Sequence, residues 1–213
     1  MSLMSDISNR PSRRVHAMKS SVIHPVWLRL THWLNALAVL IMVGSGWRIY
    51  NASPLFGFRF PDEITLGGWL AGALDWHFAA MWVLAINGLI YLFLNVVRGR
   101  LWHKFLPLPI RGLVADMNAA FRGRLSHADL RSYNHVQKAA YLLVIVDLIL
   151  LVLSGLVLWK SVQFPLLAAL LGGYDSARYV HFAAMSVLVG FIFIHVLMVV
   201  LVPRSLLTMI RGR

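Results

Sequence analysis

Four long runs of apolar residues set the pattern of this chain, at about residues 26–50, 76–97, 136–159 and 179–202. Each is close to the roughly 20 residues needed to cross the hydrocarbon core of a bilayer. The pattern therefore predicts an all-α integral membrane protein, an antiparallel four-helix transmembrane bundle. Residues 1–22 are polar and basic and read as a tail; residues 23–213 form the membrane domain. The four runs use nearly all the apolar sequence, so no soluble domain of useful size is expected.

The connections differ in character. The first, about 51–75, holds Pro54, Pro61 and Gly67-Gly68, yet it is rich in Leu55, Phe56, Phe58, Phe60, Leu66, Trp69 and Leu70. A connection so apolar is expected to lie on the interface or fold back into it. The middle one, about 98–135, carries Leu113, Met117, Ala120 and Phe121 at helical spacing, which predicts a short interfacial helix over residues 111–122. The third, about 160–178, has Pro165 and Gly172-Gly173 as turn signals. No internal repeat or low-complexity tract is evident.

Composition agrees, with 59% hydrophobic and 13% charged residues. A net charge of +12 could point to nucleic acid, but its placement excludes that reading. Sixteen of the 20 Lys and Arg fall within residues 1–30, between the second and third runs or on the threshold of the third, and after the last run. Arg48, Arg59, Lys160 and Arg178 are left for the other side. The positive-inside rule then puts both termini and the middle connection in the cytoplasm. The basic clusters there suit anionic lipid headgroups, so membrane lipid is a partner and nucleic acid is not. The first 22 residues have no apolar core of a cleavable signal. Cysteine is absent, which rules out Fe–S clusters, thiolate-ligated haem and covalent haem attachment through Cys.

Histidine supplies the chemistry. His32, His77, His181 and His195 lie within the predicted spans, where an ionisable side chain is costly and marks a functional site by default. His181 and His195 share the fourth span; 14 positions return almost to one helix face and separate them by about 21 Å. One therefore sits near each membrane surface. His32, near the cytoplasmic end of the first span, matches His195 in depth; His77, at the outer end of the second, matches His181. Two level pairs of imidazoles, one per leaflet, are the axial sets for two six-coordinate b-type haems. Zinc, the rival metal, takes four ligands from a compact cluster in structural sites, and two separated pairs do not provide one.

Neighbouring residues extend the site. Gly46 returns to the face of His32 at the level of the opposite haem, and Gly88 lies close to the face of His77. Either could let a flat macrocycle approach, and close helix packing by small residues is the alternative. Arg48, at the outer end of the first span, could clamp haem propionates or simply reach the interface. Asp147, in the middle of the third span, is expected to face the bundle interior in hydrogen-bonded or protonated form.

These residues resemble the bacterial cytochrome b561 and nickel–iron-hydrogenase-type cytochrome b family. The resemblance rests on four spans, His32 and His77 on the first two, and the His181-x13-His195 pair on the fourth, and it covers about residues 24–210. Four stretches resemble its thiosulfate-reductase-like branch: WRIYNASPLFGFR, TLGGWLAGALDWHFAAMW, YNHVQKAAY and GGYDSARYVHFAA. The resemblance implies His32 with His195 for an inner haem and His77 with His181 for an outer one. It also implies a quinone site beside the inner haem, where this sequence has Asn134, His135, Gln137 and Lys138. Those residues could equally cap and anchor a helix start.

The function expected is electron transfer across the bacterial cytoplasmic membrane, between the quinone pool and a periplasmic partner. That partner would be a molybdopterin-dependent oxidoreductase or another periplasmic electron carrier. The chain would act as an electron-transfer subunit of a respiratory complex, with its oligomeric state, a homodimer included, left open. The alternative is an autonomous superoxide:quinone oxidoreductase of the b561 type. Against it, only four basic residues face outward, beside Asp62, Glu63, Asp75 and Asp175, so steering of an anion is weak. A non-redox transporter or receptor would be haem-free.

Overall fold

The computed structural model describes residues 24–99, 109–121 and 135–212, with the side chains of 110, 117 and 119–121 left aside. The described residues form seven α-helices and one short 3-10 turn, with no strand among them. The helices are α1 (Val26–Ala52), α2 (Leu70–Val97), α3 (Ile110–Phe121), α4 (His135–Lys160), α5 (Pro165–Leu170), α6 (Gly173–Leu201) and α7 (Pro203–Arg211). Four of them, α1, α2, α4 and α6, are long and apolar enough to cross a membrane. No more than 22% of any spanning stretch is buried inside the chain. The large apolar residues left exposed, among them Leu40, Leu89, Phe193 and Val200, are what lipid would solvate.

The spans run longer than hydropathy alone predicts. α2 begins at Leu70 instead of residue 76, and α6 at Gly173 instead of 179. Their first turns carry Asp75, Asp175 and Arg178, which lower hydropathy without breaking a helix. What fixes both starts is glycine. Gly67, Gly68, Gly172 and Gly173 all have positive φ, a turn geometry that a side chain resists. At the far end α6 stops at Leu201 because Pro203 cannot continue it; the same proline opens α7 at its first position.

α1 packs mainly on α2, and α4 on α6; close backbone approaches between these two hairpins are sparse. The hairpins meet through one apolar layer of Ala38, Val39, Ala80, Leu84 and Leu188, backed by Val144, Leu148 and Leu151. They also repeat each other, which the sequence analysis missed. Ser45-Gly46 on α1, then Leu66-Gly67-Gly68 and His77-Phe78-Ala79-Ala80-Met81, recur as Ser154-Gly155 on α4, then Leu171-Gly172-Gly173 and His181-Phe182-Ala183-Ala184-Met185. The loops between the shared words differ in length, which hides the repeat from a fixed-period search.

The first connection folds back over one end of the bundle, as its apolar character predicted. Trp47 stacks on Phe60 with ring centroids 4.8 Å apart, and Tyr50 meets Phe58, Phe60 and Phe182. Asn51 holds the loop at Phe60 by donating to its carbonyl (2.8 Å) and accepting from its N–H (2.9 Å). The Leu66 N–H donates to Gly44 O at 2.9 Å. At the opposite end α7 returns to the start of α1. There Arg29 donates to Ile210 O at 2.5 Å, and the Arg98 guanidinium lies 4.9 Å from the Trp27 ring centroid. A short helix is expected over 111–122, and α3 occupies Ile110–Phe121. The third connection, expected only to turn, contains the short α5.

Candidate functional site

His32 on α1 and His195 on α6 come together across the gap between the hairpins. Their ring centroids are 6.1 Å apart and their planes 64° from parallel. With metal–nitrogen bonds of about 2 Å on each side, two imidazoles sharing one metal would place their centroids about 6 Å apart. Trp33 flanks His32 edge-on at 5.3 Å, and Phe191, one turn before His195, stacks against its ring at 5.8 Å. Both neighbours are aromatic; His32 is half-buried and His195 exposed on the outside of the chain.

His77 on α2 and His181 on α6 lie at the other level, within electrostatic range of one another. The two rings are held alike. The Ser45 hydroxyl is 3.1 Å from His77 Nδ1, and the Ser154 hydroxyl is 2.9 Å from His181 Nδ1. Glycine follows each serine. A methyl group built on Gly46 would lie 3.5 Å from His77 Cε1, and one on Gly155 would lie 3.4 Å from His181 Cε1. Those are about van der Waals distances, so the histidine rings by themselves do not demand glycine.

The arrangement suits a planar macrocycle carrying iron. Two imidazoles at each level would be a donor set that fits a haem iron. Among the described residues no three His, Cys, Asp or Glu gather where they could hold a bare metal ion. The sparse approach between hairpins and the glycines beside the outer rings leave room for a flat group.

The remaining candidates are placed as follows. Nothing lies within 4 Å of a methyl group built on Gly88, so this glycine borders open space. Beside it Asn87 ties α2 to α1, donating from Nδ2 to Thr31 O at 2.7 Å and to Asn35 Oδ1 at 2.8 Å, one turn from His32. Arg48 pairs with Asp62 of the first connection and lines an open cleft with Asn51, Arg59 and Trp69. Asp147 is buried, and its Oδ2 has no hydrogen-bond partner among the described residues.

Asn134 lies outside the described residues. His135 opens α4 and is bound to α3: its backbone N–H and its ring Nδ1 both reach Asp116 Oδ2, at 2.7 and 2.8 Å. These bonds, the backbone one first, hold the Asp116 carboxyl below the ordinary carboxylate range. A methyl group on Gly112 would meet the His135 ring at 2.8–3.0 Å, so the ring would have to move aside. Gln137 is exposed and Lys138 half-buried on the first turn of α4. Ser45, Ser154, Gly155, Asn87, Asp116 and Gly112 were not singled out as site residues from the sequence. The repeated Ser-Gly step was the one available signal.

Comparison with known proteins identifies the family. Residues 23–212 match the family described as "Prokaryotic cytochrome b561". A protein of Azospira oryzae named "Putative protein-methionine-sulfoxide reductase subunit YedZ1" is 67% identical over 190 residues, covering 89% of this chain and 96% of that protein. With the match running from the start of α1 through the end of α7, this chain belongs to the prokaryotic cytochrome b561 family.

Proposed function

We propose that this chain is a di-haem cytochrome that passes electrons between the quinone pool and a periplasmic reductase of oxidised methionine residues. Its family establishes the coarser statement: a multi-pass protein of the bacterial inner membrane that binds haem b and transfers electrons. The proposal adds the number of haems, their ligands and the groups at either end. The observation that carries it is the His32–His195 pair, two rings from different hairpins opposed at 6.1 Å.

In this reading His32 and His195 hold the inner haem, and His77 and His181 the outer one. Bound haem b supplies a one-electron couple at each level. The protein orients the four imidazoles, fills the space between levels with aliphatic side chains and keeps water from both. Gly46, Gly88 and Gly155 leave clearance for the edges of the flat groups. Arg48 already holds a carboxylate, that of Asp62, and a propionate of the outer haem offers the same chemistry.

The quinone would bind near the start of α4, by Asn134, His135, Gln137 and Lys138. Support comes from His135, whose ring Nδ1–H donates to Asp116 and so leaves Nε2 as an acceptor for a quinol hydroxyl. The basic residues flanking this end support a cytoplasmic position for it. The periplasmic partner is inferred from the name of the Azospira relative and is taken to be of the molybdopterin-dependent kind. Electrons would then flow outward, from quinol to partner.

Purified cytochrome should be reduced by a quinol analogue and reoxidised by the periplasmic reductase only when its methionine-sulfoxide substrate is present. Reduction that is insensitive to quinol, or reoxidation that does not need the partner, would contradict the proposal. Reoxidation by oxygen species alone would favour the superoxide reading instead.

A further inference from the structure

The hydrogen bonds around His77 and His181 fix more than their orientation. The Ser45 hydroxyl donates to Ile41 O at 2.7 Å, with Met42 O at 3.3 Å, and the Ser154 hydroxyl donates to Leu150 O at 2.7 Å, with Leu151 O at 3.2 Å. A serine has one proton to give, and each has given it to its own helix. Its oxygen can then only accept, and the group it faces is histidine Nδ1. The partner at Nδ1 is thus an acceptor. The proton must sit on Nδ1, and Nε2 presents a bare lone pair.

From this we infer that Ser45 and Ser154 are matched positioning residues, which present Nε2 of His77 and His181 to the outer iron and tune that haem's potential. The inference rests on the assignment of those two histidines as axial ligands. Serine often bonds back to its own helix with no further role. Here the same Ser-Gly step faces the same histidine nitrogen in both hairpins, against one site, which back-bonding alone does not explain. The inner pair is built differently, with Trp33 and Phe191 rings beside His32 and His195. An acceptor on Nδ1–H raises the basicity of the ligating nitrogen, favours ferric iron and lowers the potential. Two such acceptors act on one haem.

The test is a potentiometric titration of the full-length holoprotein, read in the haem absorption bands. Ser45→Ala and Ser154→Ala should each move the midpoint of one and the same haem upward, leave the other in place, and add in the double variant. Ser45→Thr and Ser154→Thr keep a hydroxyl and should restore the native midpoint. If the alanine variants lose a haem outright, threonine variants that regain it at its native midpoint support the inference. Unchanged midpoints in all alanine variants would overturn it, as would threonine behaving like alanine. A separate control guards the ligand assignment: His77→Ala and His181→Ala should each remove that haem, and retention of both haems would overturn the assignment itself.

Discussion

Asp116 and His135 are joined twice through a single oxygen, Oδ2, which accepts from the backbone N–H at 2.7 Å and the ring Nδ1 at 2.8 Å. The carboxylate thus fastens the interfacial helix α3 to the first residue of a membrane span. Because its folded-state pKa is depressed, the link is complete above the ordinary carboxylate value of about 3.9 and fails as pH falls through the lowered folded value. Protection of α3 from hydrogen exchange, relative to the intrinsic rate at each pH, should be flat from pH 8 to 5 and fall only under more acid conditions. Loss of protection already above pH 5 would contradict the assignment of this link to the Asp116 carboxylate.

The same pair gives a kinetic prediction. Asp116→Asn should slow reduction by quinol while leaving haem content and spectrum untouched, because the ring it orients is far from the outer pair. Gly112→Ala should do likewise, its methyl group forcing the His135 ring aside. Steady-state quinol kinetics on both variants check this, and native rates in both would remove His135 from the quinone site.

Asn87 makes the polar tie between α1 and α2, at Thr31 O and Asn35 Oδ1. Interhelical hydrogen bonds of this type contribute about 0.6–1.7 kcal/mol within a bilayer. Asn87→Ala should therefore lower thermal stability in detergent modestly and loosen the inner haem before the outer. Thermal melts followed in the haem bands of reduced protein would resolve the order of loss. Equal loss of both haems would contradict it.

Gly46 and Gly155 provide a steric test. A small side chain at either position meets the histidine ring at about van der Waals distance, so alanine should be tolerated by the protein alone. Leucine at either position intrudes where the edge of the outer haem is placed. Gly46→Leu and Gly155→Leu should insert and fold yet bind one haem fewer, as a pyridine haemochrome assay would report. Full haem content in both would show that the glycines serve helix packing only.

Much of this was legible because two periodicities act independently. Hydropathy placed the four spans, and the 14-residue interval on the fourth put His181 and His195 on one face at two depths. The rest depended on helix contacts that no single segment encodes. Ser45 and Ser154 look like ordinary polar residues in apolar helices until His77 and His181 are brought against them. Gly155 could not be weighed without knowing that α4 packs on α6. Asp116 lies 19 residues before His135, and nothing in the intervening sequence marks them as partners. The true starts of α2 and α6 escaped because charged first turns lower hydropathy while remaining helical.

The most direct trial of the account is haem stoichiometry across single and double histidine variants. The wild type should carry two b haems per chain. His32→Ala, His195→Ala and their double variant should each keep the same one haem, and His77→Ala should keep the other. His32→Ala combined with His77→Ala should carry none. A wild-type chain with a single haem, or a His32/His195 double variant that loses both, would contradict the pairing on which every other conclusion rests.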